Sequence, residues 1–163
     1  LTQQQSQEAP NALLKLSELL RYMLRESDDP FVPLSKEIIY LENVIELQKI
    51  GHKGFSYVDF DVVGQVNQLK IAPLILINFI ENAFKHGSFN NKETPINILI
   101  IIEQQSLHFQ ITNKINHAKK DKTGGIGLAN VKRRLSLIYP AQHQLEIHQL
   151  ENEFIVDLKI DLL

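Results

Sequence analysis

The sequence predicts an α+β protein, a two-layer α/β sandwich with a mixed, mostly antiparallel sheet covered on one face by helices. Three observations lead there. Helical and strand-like periodicities are interleaved along the chain. The C-terminal segments alternate apolar and polar residues, as half-buried antiparallel strands do. The segment around Asn82 is apolar on one arc only, so that arc has to pack on something. A sheet with helices laid on one face accommodates all three.

The elements follow in chain order. Residues 9–25 read as a helix, with Leu13, Leu16, Leu20 and Met23 on one stripe. That spacing suits a coiled coil and equally suits a helix packed on its own domain. Residues 26–33 are rich in turn formers and read as a linker. A second helix spans about Ser35 to Lys49, with Ile38, Leu41 and Ile45 on one face. Phe55 to Val63 reads as a strand, and the Asn82 helix follows Pro73. Two strands come next, Ile96 to Ile102 and Leu107 to Thr112, joined by a short polar turn. A polar stretch, a glycine-rich loop and a helix with Leu128, Val131, Leu135 and Ile138 on one stripe lead to a closing hairpin. Its strands run from Gln144 to Leu150 and from Phe154 to Leu162.

Composition bounds the function. A chain of 163 residues makes one ordinary domain, or one domain with an appendage. The division expected is 1–28 as the appended helix and 33–163 as the main domain. A net charge of -2 gives no reason to expect a nucleic-acid or membrane surface. With no cysteine, there is no disulfide framework and no zinc-thiolate site. No apolar run approaches the ~20 residues of a membrane-spanning helix. The absence of an initiator Met and of a signal-peptide pattern leads us to expect a piece of a longer protein.

Two motifs carry chemistry. On a helix at about 100° per residue, Asn78, Glu81, Asn82, Lys85 and His86 fall within roughly 140° of one another. Leu76, Ile77, Phe79, Ile80, Ala83 and Phe84 fill the opposite arc. An amide oxygen can ligate a hard cation without cancelling its charge, and a lysine one turn on can meet a phosphate. An ordinary amphipathic helix with a solvated side shares this outline, but two asparagines one turn apart are poor helix formers. The second motif is Thr123-Gly124-Gly125-Ile126-Gly127-Leu128-Ala129-Asn130-Val131. Glycines let a backbone approach an anion, and the free N–H groups of a helix N-terminus favour phosphate. It has no Gly-Lys-Ser/Thr ending, so it is not a P-loop. Asn130 stands where a dinucleotide fingerprint needs its third glycine.

The combination resembles the ATP-binding domain shared by histidine kinases, gyrase, Hsp90 and MutL, the Bergerat-type fold. More narrowly, it is similar to the LytS-type sensor histidine kinases of bacterial two-component systems. The phrases that carry the likeness are Leu19-Leu20-Arg21-Tyr22-Met23-Leu24, Val32-Pro33-Leu34-Ser35-Lys36-Glu37-Ile38, Tyr40-Leu41-Glu42-Asn43-Val44, Glu81-Asn82-Ala83-Phe84-Lys85-His86-Gly87 and the glycine motif. The resemblance implies ATP and Mg²⁺ as cofactors, with Asn82 holding Mg²⁺ and with Asn82 and Lys85 as the catalytic pair. It places Lys85 and His86 near the phosphate tail. Gly125, Ile126, Gly127 and Leu128 form the hinge of a lid. Asn78 takes the position where ATP-hydrolysing relatives carry a glutamate base, and an amide cannot draw a proton from water. It further implies a response regulator as partner, a homodimer in the full-length protein, and no nucleic acid. The location implied is cytoplasmic, in a bacterial protein anchored in the inner membrane only through upstream segments.

One departure stands out. The family pattern Asp-x-Gly-x-Gly, whose Asp accepts from the adenine amino group, is replaced by Asn113-Lys114-Ile115-Asn116. Asn113 keeps an acceptor oxygen and loses the charge. A strand-end turn would explain an Asn there equally well. None of His52, His86, His108, His117, His143 and His148 stands in a context suited to a phosphoacceptor, and none shows metal spacing. The reading is the ATP-binding core of a sensor histidine kinase with the last helix of its dimerisation and phosphoacceptor hairpin attached. The acceptor histidine is expected upstream. The alternatives are an ATPase or protein-serine kinase of the same fold, as in anti-sigma factors, and a degenerate scaffold domain.

Overall fold

The structure is a computed structural model and describes residues 2–25, 28–52, 56–118 and 126–162. The chain begins with α1 (Thr2–Arg25), the short strand β1 (Val32–Pro33) and α2 (Leu34–Gly51). Next come β2 (Val58–Val63), β3 (Lys70–Ile71), α3 (Ile77–His86) and β4 (Gly87–Ser88). Then follow β5 (Ile96–Glu103), β6 (Ser106–Ile115), α4 (Ile126–Ile138), β7 (His143–Gln149) and β8 (Glu153–Asp161).

The main sheet runs β2-β5-β6-β8-β7, with β4 adding a short pairing on β6. Only β2 and β5 are parallel; the other pairs are antiparallel. β1 and β3 form a separate two-stranded ribbon. The mixed, mostly antiparallel sheet is therefore as predicted. Its covered face is set by period-two alternation. Ile96, Ile98, Ile100 and Ile102 of β5 point inward with Leu107, Phe109 and Ile111 of β6 and Val156, Leu158 and Ile160 of β8. They meet Leu34, Leu41 and Ile45 of α2, Phe79, Ile80 and Ala83 of α3, and Val131 and Leu135 of α4 in one core. Burying each of the Val, Leu, Ile and Phe side chains among them contributes about 1.5–3 kcal/mol.

Some boundaries differ from the sequence reading. α1 starts at Thr2, well before residue 9, and Pro10 lies inside it at the cost of one backbone donor. The polar stretch before Pro10 has no apolar period by which a helix could be read. The strand expected from Phe55 begins at Val58 among the described residues. β6 continues past Thr112 to Ile115, because its last residues pair with both β8 and β4.

The two open readings of α1 can now be compared. Among the described side chains of α1, Leu19 and Tyr22 are the buried ones. Tyr22 stacks on Tyr40 of α2 with ring centroids 4.7 Å apart. Asn43 of α2 bridges Lys15 and Glu18 at 3.3 and 3.2 Å. The predicted stripe of Leu13, Leu16, Leu20 and Met23 is exposed, from 46% to 65%. So α1 packs on its own domain through a different face, and the coiled-coil stripe stays open.

Candidate functional site

α3 separates its two faces as the sequence predicts. Ile77, Phe79, Ile80, Ala83 and Phe84 are buried in the core. Asn78, Asn82 and His86 are half-buried, and Glu81 and Lys85 are exposed. The helix thus rests on the sheet and shows one amide-rich stripe. Asn82 makes no side-chain hydrogen bond among the described residues, so its amide is available to a ligand. Asn78 is committed differently. Its Nδ2 donates to the Leu74 carbonyl at 2.9 Å and to the Ile75 carbonyl at 3.4 Å. That residue anchors the start of its own helix and has no capacity as a general base.

The C-terminal end of α3 is stitched to the end of β6. Gly87 and Ser88 pair with Ile115 and Lys114, and the Asn116 N–H donates to the His86 carbonyl at 2.9 Å. This brings Asn113 under the helix. Asn113 is 3% exposed, in the strand and opposite Phe154 of β8. It is therefore not a turn residue. Its Nδ2 donates to the Lys114 carbonyl at 3.0 Å, while its Oδ1 is enclosed without a partner. A buried acceptor left unsatisfied costs about 1–3 kcal/mol. A ligand donor would remove that cost. The missing glycines have a structural counterpart: a continuous strand runs through Asn113 to Ile115.

Not every predicted position can be placed. Gly125 lies outside the described residues, and so does the side chain of Ile126. Gly127 is exposed and Leu128 half-buried in the first turn of α4. A Cβ at Gly127 would meet no other atom within 4 Å, so packing does not demand glycine there.

Two hollows lie away from this face. One of about 240 Å³ sits between α1 and α2 beside Tyr22 and Tyr40. A polar one of about 620 Å³ sits between α2 and β2. Neither includes Asn82 or Asn113. Chemistry, not size, selects the α3 face: its amide stripe carries a lysine, and the orphaned acceptor Asn113 Oδ1 lies on the strand joined to the C-terminal end of the helix. Among the described residues no group of three or more His, Cys, Asp or Glu could hold a metal ion. The Asn82 amide could still hold Mg²⁺, since this ion keeps several waters and is shared with substrate phosphates.

Sequence reasoning missed a second polar centre behind the stripe. Glu37 of α2 is fully buried. It accepts from the Tyr22 hydroxyl at 2.5 Å and from the Leu74 N–H at 3.2 Å. Burial raises its carboxyl above the usual value, opposed by those two hydrogen bonds and by the charge of Arg134. Tyr40 is pushed up to about 12 by burial and by the charges of Glu81 and Glu37. The sequence did carry a signal: Glu37 interrupts the apolar face formed by Leu34, Ile38, Leu41 and Ile45.

None of the histidines lies on α1. His52 caps α2 and lies edge-on to Phe89, with centroids 4.8 Å apart. His108 pairs with Asp157 at 2.9 Å on the outer sheet face. His117 approaches Asn152, His143 the Tyr139 carbonyl, and His148 Glu146.

Comparison with known proteins bears on the fold. The family model described as "Histidine kinase" matches residues 1–54. Sensor protein LytS of Oceanobacillus iheyensis is 24% identical over 162 residues, covering 90% of this chain and 28% of the relative. LytS of Staphylococcus saprophyticus is 26% identical over 157 residues, covering 88% and 27%. The chain thus spans less than a third of the length of these curated relatives. Among solved structures, the catalytic domain of histidine kinase ThkA superposes with a TM-score of 0.55 at 17% identity, over 80% of this chain and 94% of that one. Full-length ShkA, solved in complex with AMPPNP, gives 0.58 at 16% identity over 95% and 37%. ThkA in complex with the response regulator protein TrrA gives 0.52 at 17% over 93% and 48%. The chain is similar to LytS sensor histidine kinases over about nine-tenths of its length, and its sandwich is the fold of histidine kinase catalytic domains.

Proposed function

We propose that this chain is the ATP-binding catalytic core of a sensor histidine kinase, joined to one helix of its dimerisation hairpin. The observation that carries the reading is Asn113 Oδ1, a buried acceptor without a partner, on the strand stitched to the C-terminal end of α3. An adenine amino group is a donor of the right kind to satisfy it. Asn82 would hold Mg²⁺ through its amide, and Lys85 and His86 would meet the phosphates. Mg²⁺ bound there would neutralise charge on the phosphates as the γ-phosphoryl group leaves. Asn78, tied to Leu74 and Ile75, offers no base to activate water, which favours transfer over hydrolysis. Gly125, Ile126, Gly127 and Leu128 would form the lid hinge.

The acceptor histidine would lie upstream of Leu1, and a response-regulator aspartate would take the phosphoryl group from it. The likeness to a kinase solved with its response regulator supports that partner class. The exposed stripe Leu13, Leu16, Leu20 and Met23 is where a second copy would pair in the full-length dimer. No described helix is long and apolar enough to cross a membrane. Part of this reading is that upstream segments anchor the protein in the inner membrane.

Titration calorimetry with a non-hydrolysable ATP analogue tests the reading. Binding should be tighter with Mg²⁺, and GTP analogues should bind more weakly than ATP analogues. Equal affinity for both bases, with no metal dependence, would leave the α3 face as solvated surface.

A further inference from the structure

The residue just before α3 that holds the most unusual backbone is Leu74. Its φ is +58°, in the left-handed region, which a branched aliphatic residue rarely occupies. Such a conformation costs of order 1–3 kcal/mol and persists where surrounding groups fix it, often at functional sites. Here the fixing groups come from three other elements. The Leu74 N–H donates to Glu37 Oε2 at 3.2 Å, from α2. Its carbonyl accepts from Asn78 Nδ2 at 2.9 Å, in α3, and from Arg134 Nη1 at 3.2 Å, in α4. The other arm of Arg134 reaches the Pro73 carbonyl at 2.9 Å. Tyr139, at the end of α4, accepts from the Ala72 N–H at 2.8 Å.

Two connections leave this turn. One runs into the candidate site: Asn78, whose amide is held by the Leu74 carbonyl, is one helical turn from Asn82. The other runs outward: the oxygen of Glu37 that holds Leu74 also accepts from Tyr22 of α1 at 2.5 Å. Arg134 belongs to the helix that directly follows the glycine motif. Its rigid fork spans two consecutive carbonyls, a geometry that a lysine ammonium does not pre-organise. Glu37 is fully buried with Oε1 unpartnered, so the carboxylate depends on the few groups that do reach it.

We propose that Arg134 and Glu37 are positioning residues for nucleotide binding, acting through the Leu74 turn on Asn78, and that Tyr22 couples the seating of α1 to the same turn. The proposal rests on the ATP-binding reading above. Its physical content is linkage: if nucleotide and α1 both favour one arrangement of the Leu74 turn, each strengthens the other by the same factor. Signals from α1 would then reach the site without touching nucleotide.

The test combines calorimetry with hydrogen exchange on the 163-residue chain. Tyr22→Phe removes only the hydroxyl and keeps a ring to stack on Tyr40. Arg134→Lys keeps the charge and loses the fork. Both should weaken Mg²⁺-ATP-analogue binding by roughly five- to tenfold, the usual lower range of coupling between sites. In the unmodified chain the analogue should slow amide exchange around Tyr22, and in Tyr22→Phe this protection should vanish. A purely structural hydroxyl would lower overall stability and leave the nucleotide-dependent protection in place, which overturns the coupling. Unchanged affinity in Arg134→Lys overturns its positioning role. Should the unmodified chain bind no analogue, the ATP reading is what fails. The turn is then judged without ligand: Tyr22→Phe must speed exchange of the Leu74 amide, and an unchanged rate overturns the link.

Discussion

Gly87 and Asn113 are in contact so close that the first admits no side chain. A Cβ on Gly87 would lie 2.9 Å from Asn113 Nδ2 and would collide with the Ala83 carbonyl. The φ of Gly87 is -80°, so space and not backbone conformation demands glycine. This contact sets how far the end of α3 sinks onto β6, and hence how deep Asn113 lies. Gly87→Ala should destabilise the fold by about 1–3 kcal/mol, the usual cost of overpacking. In Asn113→Ala the same substitution should cost less, since one of the two clashes is gone. Urea denaturation of the two single variants and the double variant measures that coupling. Additive losses would show that the two residues do not share this constraint.

Asn82→Ala should remove most of the benefit that Mg²⁺ brings to ATP-analogue binding. The amide is half-buried on the α3 stripe and has no competing partner among the described residues. The fold should tolerate the change, because the side chain packs no core and alanine is the better helix former. Calorimetry with and without Mg²⁺ separates metal dependence from base affinity. Unaltered metal dependence would remove Asn82 from the site.

Asn113→Asp should act in opposite directions on stability and on adenine recognition. The Nδ2 donor to the Lys114 carbonyl is lost, and a carboxylate oxygen would face that carbonyl. The unliganded fold should lose about 1–3 kcal/mol, the cost of an unsatisfied buried group. With an adenine amino group present, the carboxylate accepts more strongly, so selectivity for ATP over GTP should widen. Asn113→Leu should narrow that selectivity. A ratio of the two affinities that stays fixed in both variants would exclude a base contact.

Glu37 predicts a pH dependence of stability. Its carboxyl is raised from 4.5 by burial, against the hydrogen bonds of Tyr22 and Leu74 and the charge of Arg134. A raised value means that the folded state holds its proton more tightly than the unfolded chain. The associated stability is complete below about pH 4.5, the unfolded value, and is lost as pH rises through the folded value. Glu37→Gln cannot ionise, and its amide oxygen can still accept from Tyr22 and Leu74. Relative to the unmodified chain, the variant should therefore gain stability as pH rises from 4 toward neutrality. Thermal melts across that range give the sign directly. A relative loss would mean that the ionised form is the one the fold stabilises.

The parts of the fold governed by local periodicity were legible in the sequence. The α3 stripe followed from 3.6-residue spacing, and the inward isoleucines of β5 sit where a strand buries alternate residues. Asn113 was recognised as an acceptor, but its burial was not, because that depends on Gly87 approaching from another element. The Leu74 turn was not legible at all. Its partners Glu37 and Arg134 are 37 and 60 residues away, and nothing near Leu74 in sequence announces a left-handed backbone. α1 shows the same limit in reverse. Its apolar stripe was correctly seen as a stripe, yet the residues that bury are Leu19 and Tyr22, chosen by the shape of α2.

The 163-residue chain should not label itself when incubated with γ-labelled ATP and Mg²⁺. Each of its histidines has a position that argues against the acceptor role. The His52 Nδ1–H donates to the Gln48 carbonyl and the ring lies against Phe89. His108 is held by Asp157 in the sheet, and His143 by the Tyr139 carbonyl. His117 and His148 sit beside Asn152 and Glu146 on the far strands. His86 belongs to the α3 stripe, where the proposed reading puts it near the phosphates. In the proposed reading an acceptor has to reach the γ-phosphate from outside, and α1 carries no histidine. Extending the protein upstream through the preceding helix should restore labelling as a phosphoramidate, labile in acid and stable in base. The same site would serve in both forms, so analogue affinity should match between them while labelling differs. Acid-labile label on the shorter chain would place the acceptor among its own histidines. Acid-stable label would indicate a serine or threonine target and favour the anti-sigma-factor type of kinase.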